Sequence, residues 1–77
     1  MNIHVKYFAS IRDSMGVDSE DISIDTSLTV YELWEKLSVE KRVSEDILIA
    51  VNHEYVDKGF KLNDGDEVAY FPPVTGG

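Results

Sequence analysis

Apolar and polar residues alternate along Ile3-His4-Val5-Lys6-Tyr7-Phe8. Successive side chains of a strand point to opposite faces, so this pattern predicts a strand with one buried and one open face. A short helix is expected over Ala9 to Met15, closed by Gly16, whose missing Cβ suits the left-handed end of a helix. Alternation resumes in Asp21-Ile22-Ser23-Ile24-Asp25, a second strand. The strongest helix signal is Thr29-Val30-Tyr31-Glu32. There Thr29 and Glu32 form a capping box, each satisfying the other's exposed backbone N–H. Leu28 and Leu33 occupy the two positions of a hydrophobic staple. Val30, Leu33, Trp34 and Leu37 recur at i, i+3, i+4 and i+7, an apolar stripe that needs a sheet to cover it. Trp34 on this stripe is expected in the core.

Lys41 to Asp46 reads as a charged connector. The apolar run Ile47-Leu48-Ile49-Ala50-Val51 predicts a central strand buried on both faces. Asn52-His53 tolerate positive φ and suit a tight turn into a short edge strand, Glu54-Tyr55-Val56. Asn63-Asp64-Gly65-Asp66 signals a further turn, and Glu67 to Phe71 the last strand. Pro72-Pro73 ends it, because proline cannot donate to a ladder. Strand, short helix, strand, helix and three strands predict an α+β fold of the β-grasp, or ubiquitin-like, kind. Its mixed sheet of about five strands carries one main helix across it. A single domain over residues 1–77 is expected, with 72–77 as a flexible tail.

Composition narrows the chemistry. No cysteine is present, and the two histidines, His4 and His53, stand in no pattern with a nucleophile or metal ligands. No side chain is therefore expected to act as a catalyst, and both histidines are expected in ordinary structural positions. Fifteen acids against seven bases give a net charge of −8. Nucleic acid and anionic membranes need clustered Lys and Arg, so neither is expected as a partner. A basic protein partner fits better. Without an apolar run long enough to span a bilayer, a cytoplasmic location is expected.

Strand periodicity marks a candidate surface. If Ile3, Val5 and Tyr7 face the helix, Phe8 shares the opposite face with His4 and Lys6. Val68 and Tyr70 then point inward, and Phe71 lies with Glu67 and Ala69 on the open side. In this fold the first and last strands pair in parallel, which would bring Phe8 beside Phe71, with Tyr55 nearby on the edge hairpin. Such an exposed aromatic cluster is expected to dock a partner.

The chain closes on Phe71-Pro72-Pro73-Val74-Thr75-Gly76-Gly77. Two glycines there would occur by chance about once in two hundred chains, which favours a use for them. Lacking a Cβ, Gly76 and Gly77 can lie extended in a narrow channel and present a carboxylate without hindrance. Six residues from Pro72 span about 20 Å at ~3.3 Å each, a reach suited to another protein's active site.

The stretch from Asp64 to Gly77, with Val5 to Asp13 and Ala50-Val51-Asn52, resembles the molybdopterin synthase small subunit, and the similarity spans essentially the whole chain. The resemblance implies a sulfur carrier. An adenylating enzyme would spend ATP to activate the Gly77 carboxylate, and a sulfur donor would convert it to a thiocarboxylate. The tail would then deliver sulfur to a pterin precursor in the large subunit, two small subunits assembling with two large. No cofactor is implied as permanently bound. By position the resemblance places Phe8, Tyr55 and Phe71 at apolar contacts with the large subunit, although an aliphatic residue is expected where Tyr55 stands. Arg12 matches a basic position near the tail. Two other carriers of a Gly-Gly terminus remain as alternatives, the thiamine-pathway sulfur carrier and a ubiquitin-like protein modifier. The Pro72-Pro73 tail argues against the former.

Overall fold

The structure, a computed structural model, describes residues 1–39 and 47–73. The charged connector expected at Lys41 to Asp46, and the tail residues Val74, Thr75, Gly76 and Gly77, lie outside the described residues. The elements are β1 (Asn2–Tyr7), α1 (Ala9–Met15), β2 (Ser19–Ser23), α2 (Val30–Leu37), β3 (Leu48–Val51), β4 (Glu54–Tyr55) and β5 (Glu67–Phe71). The strands form one sheet in the order β2-β1-β5-β3-β4. β1 and β5 run parallel, with Tyr7 opposite Tyr70, and the other pairs are antiparallel. This is the expected β-grasp arrangement.

Alternation on β1 and β5 supplies the sheet's share of the core. Ile3, Val5, Tyr7, Val68 and Tyr70 are all buried on one face. α2 covers that face with Val30, Leu33 and Trp34, and the Trp34 ring lies 4.8 Å from that of Tyr70. Fully burying a side chain such as Leu33 stabilises the fold by about 1.5–3 kcal/mol. The helix start is fixed as its residues dictate. Thr29 Oγ1 accepts from the Glu32 N–H and the Thr29 N–H donates to Glu32 Oε1, and the staple residues Leu28 and Leu33 are both buried. The hydrogen bonds with Thr29 hold the Glu32 carboxyl below its usual pKa. Buried hydroxyls are satisfied. Tyr70 donates to the Val30 carbonyl at 2.7 Å, and Tyr7 to Glu20 at 2.6 Å.

The first strand and the edge strand differ from expectation by a terminal residue, and two others by more. The second runs over Ser19–Ser23, not Asp21–Asp25, because Ser19 and Glu20 pair with Lys6 and Val5. Ile24 lies past the strand, where its N–H donates to the Met1 carbonyl. The apolar run at Ile47–Val51 was expected to be central and buried on both faces. In the sheet β5 is central, and β3 lies between it and the edge strand β4. Ile49 and Val51 face the core, but Leu48 is 36% exposed on the other side, opposite Phe71. The turns follow the residues that signalled them. Asn52 and His53 have φ of 50° and 72°, and Gly65 has φ of 87°.

Candidate functional site

The open face of the sheet gathers the aromatic residues. Phe8 leaves the end of β1 in an extended conformation, and its N–H donates to the Tyr70 carbonyl. Ala9 follows at φ 51°, a left-handed turn costly for a residue with a Cβ, at about 1–2 kcal/mol. That turn reverses the chain into α1, and the Phe8 carbonyl accepts from Ile11 and Arg12. The Phe8 ring stacks on Phe71, with centroids 4.6 Å apart and planes 11° apart. Tyr55, 72% exposed on the edge hairpin, stands 6.1 Å from Phe71. The structure thus brings together Phe8, Tyr55 and Phe71 as the alternation implied. Pro72, half-buried, and Pro73, exposed, continue directly from Phe71.

The aromatic rings wall one side of a cavity of about 270 Å³. Ala50 and Ala69, register partners on β3 and β5, form its floor. At its other end Lys6 Nζ lies 2.6 Å from Glu67 Oε1, and His53 Nε2 lies 3.4 Å from Glu67 Oε2. The hydrogen bond from Lys6 lowers the Glu67 pKa against the opposing effect of burial. Farther along the same face His4 pairs with Asp21. Of these pairs, Lys6–Glu67 joins opposite charges directly.

One network fixes the edge hairpin. Buried Asp66 accepts from Asn52 Nδ2 at 3.0 Å and from the Asn63 N–H at 2.8 Å. The Asn52 carbamoyl oxygen in turn accepts from the Glu67 N–H at 3.1 Å. The turn that carries His53 and Tyr55 is thereby tied to the start of β5.

Arg12 is not brought into this cluster. It is exposed on α1, with Nε 4.0 Å from Asp13, and does not line the cavity. Val74, Thr75, Gly76 and Gly77 lie outside the described residues. Sequence reasoning missed Leu48, Ala50 and the placing of His53 beside Glu67. The register of β3 against β5 reveals the first two, since residues opposite Phe71 and Ala69 must share their face; His53 reaches Glu67 from the turn after β3. Among the described residues no helix is long and apolar enough to cross a membrane, and no group of three His, Asp or Glu gathers as for a metal ion.

Known proteins resemble this chain in fold and in sequence. The molybdopterin synthase sulfur carrier subunit of Escherichia coli K12 is 40% identical, covering 97% of this chain and 99% of the relative. That of Homo sapiens is 35% identical over 97% and 93%. Among solved structures, a putative molybdopterin converting factor subunit 1 from Pyrococcus furiosus is 36% identical with a TM-score of 0.80, over 96% of this chain and 99% of that one. The complex of subunits 1 and 2 of the Helicobacter pylori molybdopterin-converting factor contains a chain 26% identical, TM-score 0.68, fully covered on both sides. The Haloferax volcanii small archaeal modifier protein 1, at 24% identity and TM-score 0.77 over 95% and 98%, shares the fold. The ThiS family matches residues 5–77. With that match and relatives at this identity over nearly the whole length, the chain belongs to the ThiS family, among the molybdopterin synthase sulfur carrier subunits.

Proposed function

We propose that this chain carries sulfur in molybdenum cofactor biosynthesis, in the cytoplasm, with Gly77 as the loaded residue. One observation carries the reading. Phe71 is both a wall of the exposed aromatic cluster and the last residue of the central strand before Pro72. The surface that would dock a partner and the tail that would enter it therefore share one rigid root. The relatives are named as sulfur carrier subunits, and a related chain is solved in complex with its subunit 2.

The chemistry follows from the carboxylate. A free carboxylate is a poor acyl donor. A Gly77 carboxylate oxygen attacks the α-phosphorus of ATP on an activating enzyme, and pyrophosphate leaves. The resulting acyl-adenylate has a good leaving group. A hydrosulfide equivalent from a sulfur donor attacks its carbonyl carbon, expelling AMP and leaving a thiocarboxylate. In the large subunit the thiocarboxylate sulfur bonds to a carbon of the pterin precursor and displaces an oxygen substituent; water then cleaves the acyl–sulfur bond, which leaves sulfur on the precursor and restores the carboxylate. This chain contributes reach, an unhindered glycine end and a docking face made of Phe8, Tyr55 and Phe71. Pro72, Pro73, Val74 and Thr75, with Gly76, form the tail that the large subunit would bind, and Arg12, exposed on α1 outside the aromatic cluster, would offer that subunit a charge. Two small subunits assemble with two large.

The shared fold does not separate a carrier from a protein modifier; the acceptor does. Removing Gly77, or adding one residue after it, should abolish molybdopterin synthesis in a reconstituted system. The melting temperature should stay unchanged, because the described core ends before residue 74. Full activity of the extended protein would overturn the proposal.

A further inference from the structure

The open sheet face is hollow between the aromatic rings and the Lys6–Glu67 pair. Ala50 and Ala69 lie side by side on neighbouring strands, and both line the cavity. Larger side chains at these two positions would fill it. Its volume of about 270 Å³ falls below the roughly 300–1,000 Å³ of small-molecule sites.

We infer that this hollow is a socket for one large apolar side chain of the large subunit, and that Ala50 and Ala69 set docking specificity by their smallness. The inference rests on the carrier reading above. The socket is continuous with the root of the tail, since Phe71 walls it and Pro72 follows. A protein that takes in Gly77 must open within about 20 Å of Pro72, close enough to cover this face. Charge agrees. Lys6 and Glu67 neutralise each other at the rim, so an apolar anchor can displace water without stranding a charge. The socket is also preformed. β5 is paired on both sides, and the Asn52–Asp66 hydrogen bond holds the hairpin that brings Tyr55. Little ordering is left for binding to impose.

Filling the floor tests this. Ala69→Val and Ala69→Leu are titrated calorimetrically against the large subunit, with a thermal melt of each and sedimentation of the free chain. Affinity should fall about tenfold or more, while the melting temperature holds or rises, because larger apolar residues suit a strand surface. Ala69→Ser, close to alanine in size, should bind within about threefold of the unmodified chain. Folded Val and Leu variants with unchanged affinity would overturn the inference. So would losses that track falling stability. Self-association of the free chain that Ala69→Leu abolishes would make a second copy the occupant and also overturn it. The socket and the carrier function fail by different results. If Ala69→Leu binds normally while removal of Gly77 still abolishes sulfur transfer, the socket fails and the carrier stands. If removal of Gly77 leaves transfer intact, the carrier reading fails and the socket with it.

Discussion

Replacing Asn52 by glycine and by alanine separates two contributions to the hairpin that bears Tyr55. Asn52 sits at φ 50°, and its side chain donates to Asp66 and accepts from the Glu67 N–H. A hydrogen bond to a charged group contributes about 1.5–3 kcal/mol and a neutral one about 0.5–1.5. Asn52 is exposed although Asp66 is buried, so the lower ends apply, about 2 kcal/mol for the pair. Glycine accepts the positive φ freely, and Asn52→Gly should cost about that much. Alanine loses the same bonds and adds about 1 kcal/mol of left-handed strain, for about 3 kcal/mol in all. In a domain this size each kcal/mol shifts the melting temperature by about 4–8 °C. The expected drops are about 8–16 °C for glycine and about 12–24 °C for alanine. Total stability here is of order 4–12 kcal/mol, so either loss is large. Urea denaturation with parallel thermal melts measures both. A glycine variant within about 0.5 kcal/mol of the unmodified protein would show that the side-chain bonds contribute nothing net. Equal losses in the two variants would refute the role of the backbone conformation.

Other outcomes follow from the same geometry. Phe71→Asp places a charge between Phe8 and Tyr55 and should weaken binding to the large subunit by about 2 kcal/mol or more; collapse of the fold with affinity intact would instead mark Phe71 as core. Glu67 and Glu32 have pKa values below the ordinary 4.5, so their contribution to stability is complete above pH 4.5 and is lost as the pH falls through the lowered values. Lys6→Met should flatten the Glu67 part of an acid denaturation curve. Tyr7 and Tyr70 are raised above the ordinary 10.0, chiefly by burial, with Glu20 adding to the shift at Tyr7. Their stabilisation is complete below pH 10 and is lost as the pH climbs toward the raised values, which an alkaline melt of Tyr7→Phe, titrating one group fewer, reads directly.

Much of this fold is legible in the residues because local signals agree with one another. The capping box at Thr29, the left-handed pair Asn52-His53, Gly16 and Gly65 each specify a backbone conformation that nearby residues need. Alternation on β1 and β5 separates Tyr7 and Tyr70, which are core, from Phe8 and Phe71, which are surface. What escaped reading depends on pairing between distant strands. Ser19 and Glu20 read as loop because an edge strand with one partner tolerates polar residues. Leu48 reads as core because a docking face has the composition of a core cut open, and only its register against Phe71 places it on the open side. Ala50 is buried as expected, but only its register against Ala69 places it under the cavity. Neither partner of the Asn52–Asp66 bond hints at the other, since fourteen residues separate them.

The central claim is that Gly77 accepts sulfur and gives it up again. Intact-mass spectrometry of the protein, incubated with ATP, its activating enzyme and a sulfur donor, tests this most directly. One oxygen at Gly77 should be replaced by sulfur, and the original mass should return once the large subunit and pterin precursor are added, with no lysine-linked adduct. A thiocarboxylate that never forms, or one never consumed while adducts to target lysines accumulate, would contradict the account.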